Sequence, residues 1–176
     1  METASALRVL RAAALFLLAM PANAAELTTL QAGHILAVAY GQYQGPPELL
    51  DNPPKIDLVS EDKLRELHGC NDHCPRIMAL YHEGDNVIYL LNTLDFSAVF
   101  ATTVLVHEFV HYFQVRTRGK IADLKLSAHE ACLEIVERER QAYRIQHHLL
   151  IKGGDFRRAQ EARIIAGQLH CKEPKS

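Results

Sequence analysis

Five consecutive residues, His107-Glu108-Phe109-Val110-His111, bring together side chains that can do chemistry. On a helix, positions i and i+4 stand one turn apart on the same face. Two imidazoles so placed can bind a single zinc ion, and the Glu108 carboxylate beside them can serve as general base on a zinc-activated water. The flanking residues favour that helix. From Val99 to Val110 the run VFATTVLVHEFV is apolar almost all round, the pattern of a helix buried on every side. Histidine and glutamate set into such a run cost desolvation free energy unless something pairs with them, and a metal ion would do so.

A catalytic zinc takes three protein ligands and leaves one position open. The third is sought on a second helix, which Ser127 and Glu130 open as an S-x-x-E capping box and which should run to about Ile151. At about 100° per residue, Ala128, Cys132, Ile135, Val136, Ala142, Tyr143, Gln146 and Leu150 form one broad stripe with Glu139 at its centre. Glu130, Glu134 and Glu137 fall on the opposite face with Arg138 and Arg144 and read as solvated residues. A carboxylate in the middle of a packing face needs a counter-charge. Zinc held by His107 and His111 would supply it; an arginine such as Arg116 or Arg118 is the alternative partner.

The elements that must position these residues follow from pattern and turn chemistry. Glu26 to Tyr40 reads as a first helix, and residues 41 to 54 are too rich in turn formers for a regular element. Lys55 to Ser60 reads as a short strand, followed by a short helix from Glu61 to His68 capped by Ser60. Arg76 to His82 and Val87 to Asn92 are expected to form a hairpin across Glu83-Gly84-Asp85-Asn86. Asp95 is the expected N-cap of the metal-site helix, Phe96 to Arg116, and Thr117 to Leu126 a connection. Gly153-Gly154 should break the glutamate helix, with a last helix capped by Asp155 and running to about His170.

The N-terminus has the features of a leader. Arg8 and Arg11 precede the apolar run Ala12 to Met20, and Ala22-Asn23-Ala24 offers a cleavage site. That run is too short to span a bilayer. Residues 1–24 are therefore expected to be a signal peptide and residues 25–176 a single domain, exported, with no membrane attachment after cleavage. With 19 Lys and Arg against 21 Asp and Glu, the chain has no basic footprint for nucleic acid. In an oxidising compartment Cys70, Cys74, Cys132 and Cys171 should form two disulfides, for which three connectivities exist. Cys70–Cys74 with Cys132–Cys171 is favoured; His68, Cys70, His73 and Cys74 could instead make a small zinc knot.

His107-Glu108-Phe109-Val110-His111 followed by Glu139-Arg140-Gln141-Ala142 resembles the gluzincin branch of zinc metallopeptidases, whose third ligand is a glutamate in an E-x-x-A helix. The wider layout is similar to small exported bacterial proteins with a zincin-like core. It shares their cysteine loop, IYL strand, VHE-x-VH-x-x-Q helix and E-x-x-AY-x-x-Q segment, over roughly residues 70 to 146. The resemblance implies an α+β zincin-like fold, a small antiparallel sheet packed beside a helical core. It implies one zinc ion on His107, His111 and Glu139, with Glu108 as catalytic base. It also implies that the strand Val87–Asn92 is a sheet edge pairing with an extended peptide or protein substrate. Tyr143 stands where many gluzincins have an aspartate that orients a ligand histidine. Tyr112, His129 and Tyr143 are the candidates for an oxyanion donor. The expected function is an exported, periplasmic or extracellular zinc peptidase. The alternative is a secreted metal-binding or accessory protein that keeps the fold without turnover.

Overall fold

The computed structural model describes residues 27–69 and 76–171. The leader, the Cys70–Cys74 bridge and the zinc knot all rest on residues outside that range. Helix α1 (Thr29–Tyr43) opens with a capping box, Thr28 and Gln31 satisfying one another's amides through their side chains. It passes the expected end at Tyr40 and closes at Gln44, whose backbone is left-handed (φ 56°). One 3-10 turn, Pro47–Leu50, interrupts the stretch expected to hold no regular element.

Strand β1 (Lys55–Val59), helix α2 (Glu61–Leu67), and strands β2 (Ala79–His82) and β3 (Val87–Leu91) follow, with Ser60 capping α2 as expected. β2 and β3 make the expected hairpin, Ala79 opposite Leu90 and His82 opposite Val87. Its turn depends on Asn86, which takes a left-handed φ of 56°. The sheet order is β1-β3-β2, with β1 parallel to β3. The sheet is thus mixed, not the antiparallel one expected. A hairpin is encoded locally in its turn, whereas a parallel neighbour is chosen only after the chain has crossed over, here through α2 and β2. A second correction follows. β3 is the central strand and not an edge, and the edge on the helical side is β2.

Helix α3 (Val99–Arg118) is the axis of the molecule. Asp95 does not cap it. Its carboxylate accepts from the Ser97 amide (2.9 Å) and hydroxyl (2.7 Å), closing a turn just before the helix begins behind Ala98. The far end is Gly119, with φ 82°. Thr103 to Val110 and Tyr112 to Gln114 are all buried, because α1, the sheet and helix α4 (Ala128–Lys152) cover α3 from different sides. Phe113 packs between Tyr40 and Tyr43 at ring distances of 6.2 and 5.4 Å. The Tyr112 hydroxyl donates to the Asp51 and Asn52 carbonyls, tying α3 to the loop before β1. That bond makes Tyr112 a structural residue.

The Ser127–Glu130 capping box opens α4 as expected. At its other end the Gly154 and Asp155 amides donate to Ile151 and Leu150 carbonyls, a Schellman closure that needs the left-handed φ of Gly154 (79°). Helix α5 (Phe156–Gln168), capped by Asp155, folds back along α4. Leu150, Ala159 and Ala162 form a small second core between them, and the His147 ring bonds the Ala159 carbonyl (2.8 Å).

A disulfide joins Cys132 in α4 to Cys171 just beyond α5, the expected pairing. It closes a loop over a sequence separation of 39 residues, for which the chain-entropy account gives ~2–4 kcal/mol. Replacing both cysteines by serine should therefore lower the unfolding free energy from urea titration by ~2–4 kcal/mol, seen as a lower midpoint. An unchanged midpoint would mean that packing alone holds α5 in place.

Candidate metal centre

α3 and α4 run antiparallel, which brings the His-Glu-x-x-His segment opposite the middle of α4. Nε2 of His107 and Nε2 of His111 lie 3.0 Å apart. Glu139 straddles them, Oε2 at 3.4 Å from His107 and Oε1 at 3.3 Å from His111. The three residues sequence spacing selected are therefore brought together, and they are positioned to hold a metal ion. Neither arginine offered as an alternative partner of Glu139 takes that place, and Arg118 lies 3.6 Å from Glu134.

The outward-facing ring nitrogens decide what the inward-facing ones can do. His111 Nδ1 is 2.9 Å from Gln114 Oε1, and His107 Nδ1 is 3.2 Å from Gln146 Oε1. Gln114 is fully buried, and its Nε2 donates to the Arg138 carbonyl (2.9 Å) and to Gln141 Oε1 (3.1 Å). With Nε2 committed to two acceptors, Oε1 faces His111 and accepts from its Nδ1–H. Both neutral imidazoles thus present Nε2 lone pairs to one another, an arrangement that requires a cation between them. Ligand distances of ~2.0–2.1 Å in a tetrahedral site put donors roughly 3.3–3.4 Å apart. The two rings lie 3.0 Å apart and each meets one carboxylate oxygen, at 3.4 and 3.3 Å, so the three side chains come within reach of one ion.

Without a metal, a proton takes that place. Burial acts to lower the His111 pKa, but the hydrogen bond and charge of Glu139, helped by Glu108 and Gln114, outweigh it and raise the value to about 9. For Glu139 burial acts upward, and the hydrogen bonds and charges of the two histidines hold the carboxyl far below its ordinary range.

Glu108 is buried, and its Oε2 accepts from the Tyr81 amide of β2 at 2.7 Å. In the register of the hairpin, Tyr81 is a non-hydrogen-bonded position, so its amide points away from β3. The edge strand thereby fixes the carboxylate beside the triad. The Tyr143 ring stands edge-on to His107 with centroids 4.5 Å apart. Burial, then the charges of Glu139 and Glu108, push its phenol up to about 12, so it remains a donor at neutral pH. These groups line a cleft of about 750 Å³ between β2 and the α3–α4–α5 helices, with Phe100, Val104, Ile165 and Leu169 among its apolar wall. His129 lies near the start of α4, more than two turns from Glu139, and does not line the cleft.

The hydrogen-bonding roles of Gln114 and Gln146 and the burial of Arg138 are not evident in the sequence. The glutamines stand in the motif positions VHE-x-VH-x-x-Q and E-x-x-AY-x-x-Q, and Gln146 shares the stripe of Glu139. An amide on an apolar face is the same signal as a carboxylate there, only weaker. Arg138 was placed on the solvated face but is 4% exposed. A single-face wheel fails because α3 covers one flank of α4 and α5 another, leaving only a narrow solvated arc with Glu137 and Arg144.

The fold and site define an α+β domain with a His/His/Glu metal-binding arrangement at the crossing of two antiparallel helices. The chain belongs to the family described as Domain of unknown function (DUF6647), which matches residues 43–155. No curated protein and no solved structure matches it.

Glu139→Ala should release metal on dialysis against a weak chelator, whereas Glu137→Ala, which alters only an exposed pair with Arg144, should keep it. Equal retention would remove Glu139 from the ligand set. Gln146→Leu should weaken metal binding by roughly 10–100-fold, measured by competition with a chromophoric chelator.

The metal-free protein should show a distinct pH dependence. His111 has a folded pKa of about 9 against an ordinary 6.5, so its contribution is complete below about 6.5 and lost as pH rises through 9. Thermal melts of metal-free protein should fall across that window, and metal uptake at pH 7.5 should release about one proton. Melts flat from pH 6.5 to 9 would contradict the proton-filled site.

Proposed function

We propose that this chain is an exported, zinc-dependent peptidase of the zincin type, related in its chemistry to the gluzincins. The observation that carries this reading is Glu108. A metal site built only for structure has no use for a buried carboxylate beside its ligands and held by a sheet-edge amide (2.7 Å). When bound, zinc would polarise a carbonyl oxygen and lower the pKa of a water toward ~7.

The chain's own residues supply the rest. An extended peptide can add to the outer edge of β2, where the Ala79 amide and carbonyl and the Tyr81 carbonyl face away from β3, the Tyr81 amide being held by Glu108. This lays the scissile bond across the cleft, in the role the resemblance gave to the strand Val87–Asn92. Glu108 takes a proton from the attacking water as the new C–O bond forms and passes it to the amide nitrogen as the C–N bond breaks. Tyr143 lines the cleft beside His107, and its hydroxyl has no hydrogen-bond partner among the described residues. It is the donor available to the carbonyl oxygen as negative charge develops there. Gln114 and Gln146 keep the two imidazoles from rotating.

Export is supported by the Cys132–Cys171 bridge, since disulfides persist in oxidising compartments. No helix among the described residues is long and apolar enough to cross a membrane.

The test separates base from ligand. Glu108→Gln should retain near-stoichiometric zinc while losing hydrolysis of a broad peptide library, with a chelator-treated parent as second control. If parent and variant cleave equally, the mechanism is wrong. If loaded parent cleaves nothing, the reading of a secreted metal-binding protein without turnover takes its place.

A further inference from the structure

One polar group in the cleft wall has no role in the mechanism above. Arg138 is 4% exposed, and its Nη2 is buried with no hydrogen-bond partner among the described residues. Its Nε donates to Glu134 Oε1 at 2.8 Å, on the preceding turn of α4. Buried donors left unpaired are costly, more so when charged, and native structures keep few of them. Arg138 is also a lining residue of the cleft that holds the triad. Two more arginines share that lining: Arg76, which is exposed to solvent, and Arg158, which is already committed. The latter bonds Asp155 at 2.7 Å and stacks 4.3 Å above the Phe100 ring.

Charge points the same way. Glu134 Oε1 is shared between Arg138 (2.8 Å) and Arg118 (3.6 Å), so two guanidiniums meet one carboxylate and one positive charge is left over. At the triad, by contrast, a divalent ion would balance Glu108 and Glu139. The excess cation therefore lies beside the metal centre rather than in it. Gln114, one helical turn from His111, bonds the Arg138 carbonyl (2.9 Å) and so sets this part of α4 just beyond the triad, from where the guanidinium extends to Glu134 on the preceding turn. A turn rises about 5.4 Å, and an extended peptide advances about 3.3–3.6 Å per residue.

We propose that Arg138 is the receptor for a carboxylate on the substrate, so that the cleft takes peptides cut one or two residues from that group. This deepens the peptidase reading and rests on it. The planar fork of the guanidinium suits bidentate capture of a carboxylate, which a lysine cannot reproduce. The carboxylate can come from a free C-terminus or from an aspartate or glutamate side chain.

The experiment uses the zinc-loaded full chain and three matched peptide series: free C-terminal acids, the same peptides as C-terminal amides, and amides carrying Asp or Glu within two residues of the end. The parent should cleave the acids roughly ten- to a hundredfold better in kcat/KM than the plain amides, the range for a charged hydrogen bond, with the difference mainly in KM. In Arg138→Gln the ratio should fall to about one, and Arg138→Lys should keep part of it. If the acidic amides match the free acids, the carboxylate is read from a side chain; if they match the plain amides, it is read from the C-terminus. Equal cleavage of acids and plain amides by the parent, with acidic amides no better, overturns the proposal and leaves the peptidase reading intact. A preference that survives in Arg138→Gln also overturns it. Should Arg138→Gln not fold, the parent's ratio and Arg138→Lys decide. Should the parent cleave nothing, calorimetry with an N-acetyl dipeptide acid and its amide decides instead. Binding of the acid alone, weakened in Arg138→Lys and lost in Arg138→Gln, supports the receptor while the peptidase reading falls; no acid preference overturns both.

Discussion

Two imidazole nitrogens held 3.0 Å apart in a largely buried setting are the constraint on which the structure turns. Left as two facing lone pairs they repel, and burial denies them water as a remedy. Either a proton or a cation must sit between them, and Glu139 must supply the balancing charge. The glutamine contacts remove the easy escape, a ring flip that would turn Nδ1 inward. Gln114 is itself locked by two acceptors on α4, so the orientation of His111 is enforced from the opposite helix. The site is preorganised by groups that never touch the ion.

That constraint explains why α3 lies at the centre. A helix exposed on one side would let water satisfy its histidines and weaken the selection for a cation. Here α1, the sheet and α4 cover it, and the aromatic packing of Tyr40, Tyr43 and Phe113 leaves little room for adjustment. Truncating one such buried aromatic typically costs ~3–5 kcal/mol, comparable with much of a small domain's net stability. The metal-site helix is thus rigid for reasons unrelated to its chemistry. The sheet is small, yet it does one thing the helices cannot. Its edge strand offers an amide in a fixed direction, and Glu108 takes it.

α4 carries three separate duties on three flanks. Toward α3 it places Glu139, Gln146 and Tyr143; toward α5 it packs Leu150 and is fastened through Cys132; toward solvent it shows Glu137 and Arg144. Ile135 lies 47% exposed at the cleft although it belongs to the apolar stripe, while Arg138 is buried. Both inversions come from the cleft. Ile135 faces the open cleft and so counts as exposed, whereas Arg138 sits deep in the cleft wall.

Much of this was legible in the residues. Helix existence, the Ser60, Ser127 and Asp155 caps, the hairpin at Asp85-Asn86 and the stop at Gly153-Gly154 depend on interactions within a few residues, which local sequence encodes. The cluster positioned to hold a metal was legible too, because His107 and His111 are related by one helical turn and Glu139 violates an apolar stripe. What tertiary structure alone decided involves partners distant in the chain. β1 lies parallel to β3, and β2 rather than β3 is the edge, because strand order depends on a crossover and not on strand composition. Asp95 serves a turn and not the helix, since the chain must bend there to bury Phe96. The glutamines that fix the histidines, the amide that holds Glu108 and the unpaired donor of Arg138 exist only where α3, α4 and β2 converge. No local pattern announces a hydrogen bond between residues 27 or 39 positions apart, because its free energy depends on burial that the rest of the chain creates.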